Sequence, residues 1–215
     1  MKLTALCLLI FTSLPLFCSK LIKEDFYSPD NDGVVISRCY QYGKNDNLEK
    51  IVQDNDGVEI VTDYKYEKNL LTEAKEYNDD IFVSASLFLY HDGNVTPYRR
   101  ENYDSMKKLK SYSLFTYMPD GVNPQSIQTY NNKNELLERM VFIYSDGVLE
   151  QIQIFDENDT LQMTRIQSFD KYKNAVEEKV AFRGKTIRTI KRSFNSPQKA
   201  NNKIFSLPRN FFDFK

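Results

Sequence analysis

The stretch Val141-Phe142-Ile143-Tyr144-Ser145-Asp146-Gly147-Val148-Leu149-Glu150-Gln151-Ile152-Gln153-Ile154-Phe155-Asp156 decides the fold. Phe142 and Tyr144 are two residues apart, and a strand sends such residues to one face. Asp146-Gly147 follows, supplying the positive φ that a tight hairpin turn requires and that glycine takes without steric penalty. The return run from Leu149 to Phe155 alternates apolar and polar residues before Asp156-Glu157-Asn158-Asp159 turns the chain again. The segment reads as one β-hairpin and the start of the next.

Outward from it, the aromatic-x-aromatic pair recurs as Tyr40-x-Tyr42, Tyr64-x-Tyr66, Phe88-x-Tyr90 and Phe115-x-Tyr117, at intervals of 24, 24, 27 and 27 residues up to Phe142. A second series lies between them: Tyr77-Asn78, Tyr103-Asp104, Tyr130-Asn131 and Phe155-Asp156, at intervals of 26, 27 and 25. Two independent series with one period define a repeat of two strands per unit. Five of the seven glycines follow an aspartate, which marks the turns. Gln167 and Phe169 stand where a sixth pair would fall, so the last unit is degenerate, as the caps of a repeat array are.

Residues 34–194 are therefore expected to be all-β, an antiparallel meander of about twelve strands forming a curved open sheet or incomplete barrel. A closed barrel or a sandwich is the alternative. The ten paired aromatics would share one face, which needs covering by the sheet itself, by the C-terminal tail or by a ligand. The rhythm of aromatic pairs, Asp-Gly and Tyr-Asp resembles the YD-type bacterial β-hairpin repeats over roughly residues 36–170, although the glycine that usually follows Tyr-Asp is absent after Tyr103-Asp104 and Tyr130-Asn131. That resemblance implies a β-sheet scaffold of envelope proteins and no catalytic residues.

Residues 1–17 read as a signal peptide: Lys2, then an uncharged stretch holding Ala5-Leu6-Cys7-Leu8-Leu9-Ile10-Phe11, too short and too interrupted for a spanning helix. Leu14-Pro15-Leu16-Phe17-Cys18 resembles the permissive lipobox of spirochaete-type lipoproteins. The resemblance implies that Cys18 becomes an acylated N-terminus, that residues 18–33 form a tether, and that the protein is held on the envelope membrane, with the outer membrane expected; secretion or a soluble periplasmic form is the alternative. Only Cys39 then remains in the mature chain, so no intramolecular disulfide can form, and Cys39 is expected to be buried in a strand.

About 195 residues remain after processing, enough for one domain with a sizeable core. Charge is uneven: residues 19–182 hold 19 Lys/Arg against 29 Asp/Glu, whereas residues 183–215 hold 9 against 1. The tail, residues 195–215, carries four phenylalanines between Phe205 and Phe214 and is expected to pack on the sheet. Arg183, Lys185, Arg188, Lys191 and Arg192 either join that packing or form a patch for an anionic partner such as lipid head groups; nucleic acid is not expected in this compartment.

Catalytic constellations are missing. The one histidine, His91, falls in a turn, and no triad, zinc, phosphate-loop or EF-hand spacing is present. No cofactor and no metal are expected. Asp54-Asn55-Asp56 and Asp156-Glu157-Asn158-Asp159 could offer oxygens to calcium, but plain turn chemistry explains them. The chain reads as a non-enzymatic envelope protein: a binding or adhesion module on the cell surface, or alternatively a periplasm-facing carrier of an apolar ligand in the concave aromatic face, or a structural envelope protein. Its partner would be a protein or a lipid.

Overall fold

The hairpin of residues 141–156 is present as read: Leu136–Ser145 pairs antiparallel with Val148–Asp156 across Asp146-Gly147, whose φ angles are 48° and 72°. The structure is a computed structural model describing residues 20–195, apart from Asp30, Asn45, Asp56 and the side chains of Asn31 and Asp32. The signal peptide, Cys18 and the tail beyond Asn195 lie outside the described residues.

Fourteen strands follow one another: β1 (Leu21–Ser28), β2 (Asn31–Tyr42), β3 (Leu48–Asn55), β4 (Val58–Glu67), β5 (Leu70–Asn78), β6 (Ile81–Leu89) and β7 (Arg99–Asp104), then β8 (Leu109–Tyr117), β9 (Pro124–Asn131), β10 (Leu136–Ser145), β11 (Val148–Asp156), β12 (Leu161–Phe169), β13 (Ala175–Phe182) and β14 (Lys185–Phe194). Each pairs antiparallel with its sequence neighbours, and β1 also pairs with β14, so the meander closes into a barrel. The open sheet of about twelve strands is thus corrected to the closed alternative with fourteen. Closure removes the two sheet edges and turns the aromatic face inward.

The tether is corrected as well. β1 lies inside residues 18–33 and is the strand that makes the seam, so the barrel begins at Leu21 rather than at residue 34. Lys20 is already fixed: its amide donates to the Asn195 side chain at 2.7 Å, and the Asn195 amide donates to the Lys20 carbonyl at 3.0 Å. This rim, with Lys20 and Asn195 on it, is called the terminal rim; the hairpin turns after β1, β3, β5, β7, β9, β11 and β13 form the distal rim.

The second repeat series is a turn device. Asp104, Asn131 and Asp156 each end a strand and accept two backbone N–H bonds on Oδ1: from Met106 and Lys108, from Lys133 and Glu135, and from Asn158 and Thr160, at 2.9–3.0 Å. Lys107, Asn134 and Asp159 then take positive φ at 60–66°, closing a type I turn into the next strand. Asp170 repeats the arrangement on the terminal rim with Tyr172 and Asn174. Asp54 likewise accepts from the Gly57 amide at 3.0 Å, which is turn chemistry.

Candidate binding surfaces at the two ends of the barrel

The aromatic pairs stand on β2, β4, β6, β8 and β10, with Tyr90 directly after β6, and face the barrel interior. Tyr40, Phe88, Phe115 and Phe142 are buried there, and Tyr64 packs against two of the core clusters. A register shift sits directly before Tyr42, Tyr66, Tyr117 and Tyr144, the extra residue re-aiming the chain as it reaches the terminal rim. In four of the five pairs the second ring then clasps the open end of its own hairpin: the hydroxyls of Tyr42, Tyr90, Tyr117 and Tyr144 donate to the carbonyls of Leu21, Leu71, Pro97 and Pro124 at 2.7–3.0 Å. Burial pushes the phenols of Tyr66, Tyr90 and Tyr144 up to about 12, and that of Tyr117 in the same direction. Nothing in the chain pattern announced the clasp except that the second member of every pair is tyrosine.

The basic residues expected to form one patch are separated by the fold. Arg192 points inward and is buried between two carboxylates, its Nε 2.6 Å from Glu24 and its Nη2 2.8 Å from Glu178. Arg165 also binds Glu178, and the Tyr40 hydroxyl donates to Glu24. One chain of contacts thus crosses β2, β1, β14, β13 and β12, spanning the seam. Burial alone would raise Glu178, but Arg165 and Arg192 outweigh it and hold the carboxyl below its usual range. Arg188 lies over the Phe26 ring, Lys191 over the Tyr27 ring, and Arg183 and Lys185 sit at the β13–β14 turn on the distal rim. No single surface holds all five.

A second buried polar group lies across β6 to β10. Arg100 donates to the Ser113 hydroxyl at 3.2 Å, Ser113 meets Thr129 at 3.1 Å, and Ser86, Asn102 and Ser111 form a hydrogen-bonded row beside them. Burial pulls the Arg100 guanidinium down to about 10, with Glu138 opposing the shift. Sequence patterning did not single out these residues, because serine and threonine at inward positions read as ordinary strand residues.

The outer wall has a different chemistry. Residues two apart on one strand form ion pairs along it: Lys23–Asp25 and Lys75–Glu73 at 2.9 Å, Arg99–Glu101 at 2.8 Å and Lys65–Glu67 at 3.0 Å. A lysine or arginine on a lipid-facing wall costs about 2–4 kcal/mol at mid-bilayer. Paired charges stand on β1, β4, β5 and β7, whereas Val35, Val83, Leu114 and Ile166 are exposed apolar residues of the same wall on β2, β6, β8 and β12. Cys39 lies on it and is exposed, correcting the expectation of a buried thiol.

The two ends of the barrel expose further groups. On the terminal rim a cleft of about 920 Å³ is lined by Tyr42, Tyr64, Tyr66, Asn47, Glu49 and Lys44, among others. Val95 (70% exposed) and Val122 (48%) project from adjoining loops of the same rim, joined by a bond from the Thr96 hydroxyl to the Gly121 carbonyl. His91 is in the first of these loops, stacked on Tyr98 with centroids 4.1 Å apart. On the distal rim the hairpin tips expose Ile81 (71%), Met106 (69%), Leu161 and Val58. Among the described residues no group of three or more His, Cys, Asp or Glu is arranged to hold a metal ion.

These features define a closed, fourteen-stranded antiparallel β-barrel with a packed polar and aromatic inner wall. No family model matches the chain, and no curated protein does. Among solved structures it is similar to a porin-like protein from Bacteroides uniformis, with 9% identity, 81% of this chain and 96% of that one covered, and a TM-score of 0.49. It is also similar to a porin-like protein from Bacteroides vulgatus, with 9% identity, 81% and 98% covered, and a TM-score of 0.30.

Proposed function

We propose that the chain is a non-enzymatic, lipid-anchored protein of the cell envelope that acts as a binding module through the ends of its barrel. The observation that carries this reading is the exposure of Ile81 and Met106 on neighbouring distal hairpin tips, beside a wall whose charges are paired. Apolar side chains held out on short, rigid turns suit contact with a macromolecule, because little ordering entropy is lost when they dock. The ionisable groups inside the barrel support the non-enzymatic part, since Glu24, Glu178, Arg165 and Arg192 are engaged with one another across the seam. A carrier role would need an apolar ligand to displace the side chains packed around Phe115, Ile127 and Met140.

Protease added to intact cells tests the surface location: degradation of the chain with a periplasmic marker left whole is expected, and protection would count against display. Immobilised protein should bind intact partner cells or extracellular matrix, and the double variant I81D/M106D should lose that binding several-fold while keeping its far-ultraviolet circular dichroism. Binding unchanged in the double variant would remove the distal rim from the reading.

A further inference from the structure

We propose that the barrel stands end-on to the membrane, with the terminal rim against the lipid head groups and the distal rim turned away from them. The inference rests on the acylation of Cys18 in the reading above. Given that anchor, chain geometry limits the outcome. Lys20 is held on the terminal rim by reciprocal hydrogen bonds with Asn195, so the acylated cysteine is only two positions from a fixed point of the barrel. Two residues span at most about 7 Å, whatever path Ser19 takes. A nine-residue strand such as β8 is about 30 Å long and rises roughly 23 Å when tilted by about 40°. The distal rim therefore cannot reach the leaflet that holds the acyl chains unless the barrel lies on its side.

Lying on its side is disfavoured by the outer wall. Its ion pairs, Lys75–Glu73 and Arg99–Glu101 among them, are best left in water. Both rims carry mixed charge: Asp79, Asp80, Glu157 and Asp159 with Lys107, Lys133, Arg183 and Lys185 on the distal turns, and Asp46, Asp92 and Asp120 with Lys44 and Lys68 on the terminal turns, so the short link to Cys18 and not charge sets the choice. The terminal rim offers the projecting Val95 and Val122 and, at the β12–β13 turn, Tyr172 between Lys171 and Lys173. Apolar tips beside tyrosine and lysine suit the head-group layer, where rings and short aliphatic groups enter and cations meet lipid phosphate. The cleft lined by Tyr42, Tyr64 and Tyr66 opens on this rim and would look toward the membrane.

The test uses the full-length acylated protein in vesicles of phosphatidylcholine and phosphatidylglycerol that contain a lipid with a nitroxide on its head group. In a Cys39→Ser background, a fluorophore is placed at V95C, V122C, M106C or I81C, all exposed loop positions. Quenching several-fold stronger at V95C and V122C than at M106C and I81C is the expected result. Equal quenching, or stronger quenching at the distal positions, overturns the orientation. Mass spectrometry of the same preparation separates the two ideas. An acylated Cys18 with distal quenching sinks the orientation alone, whereas a mature chain with no acyl mass sinks the anchor and the orientation with it.

Discussion

Glu24 and Arg192 meet at 2.6 Å across the seam, where the first and last strands pair. Both side chains are buried, and the same arginine binds Glu178 on the next strand. Every other strand pair of the barrel joins strands that follow each other in sequence; this one joins residues 168 apart. Closure has a larger loop entropy to overcome than any hairpin, and the ion chain sits where that cost falls.

Arg192→Met should therefore destabilise the protein by about 3–5 kcal/mol, because it takes one cation from each of two buried carboxylates, leaving Glu178 with Arg165. Replacing Glu24, Glu178, Arg165 and Arg192 together with apolar residues of similar volume should cost far less. Urea unfolding of the two variants compares them, and equal losses would show that the chain of charges does not act as a unit.

Acid should weaken the same seam. Glu178 is depressed below its ordinary value of 4.5, so its contribution is complete above that value and is lost as pH falls through the lower folded value. Unfolding midpoints measured from neutral pH downward should drop below about pH 4.5, and E178Q should flatten that part of the profile.

The tyrosine clasps predict the opposite behaviour in base. Tyr90 and Tyr144 are pushed up to about 12 in the fold against 10 for a free phenol, so their contribution is intact below 10 and vanishes as pH rises through about 12. Tyrosinate absorbance should appear together with loss of β-sheet circular dichroism. Y144F and Y90F should each cost about 0.5–1.5 kcal/mol at neutral pH, the worth of one hydroxyl–carbonyl bond. Tyrosines that titrate freely near 10 in the intact barrel would refute the clasp.

Asn131→Ala removes an acceptor that holds two backbone amides and should cost about 1–2 kcal/mol. Its turn lies on the surface, so far-ultraviolet circular dichroism should be unchanged while the urea midpoint falls. No change in midpoint would mean that water replaces the side chain without loss.

Cys39 should react with a maleimide in the native protein at the rate of an open thiol, without denaturant. A second label per mature chain would reveal an unmodified Cys18. Slow labelling that needs denaturant would contradict the outward position of Cys39.

The repeat, the hairpins and the inward face were legible because they are local: period two within a strand, Asp-Gly between strands, and a spacing of 24–27 residues. The tyrosine of each pair and the Asn or Asp of the second series were visible as a rhythm, but their roles as clasp and turn acceptor depend on where a neighbouring strand places its carbonyls and amides. Closure was not legible. Strand β1 reads Leu-Ile-Lys-Glu-Asp-Phe-Tyr-Ser, a charged stretch resembling a tether, and its inward Glu24 makes sense only opposite Arg192. For the same reason five basic residues near the C-terminus looked like one patch, although one of them belongs to the core and one to the inner wall. Cys39 was misjudged because period two fixes which residues share a wall but leaves open which wall is the wet one.

The clasp has a consequence for the size of the barrel. Each of the four clasping tyrosines fastens its own hairpin, and no clasp measures the circumference. Only the Glu24–Arg192 seam counts how many hairpins have been laid down. A chain with residues 118–144 duplicated should therefore close with sixteen strands and a wider bore, visible as a larger cross-section in small-angle scattering; failure to fold would show that the perimeter is fixed by something other than the seam. Such a protein can change the span of its rims by tandem duplication while its turns, clasps and lock stay as they are.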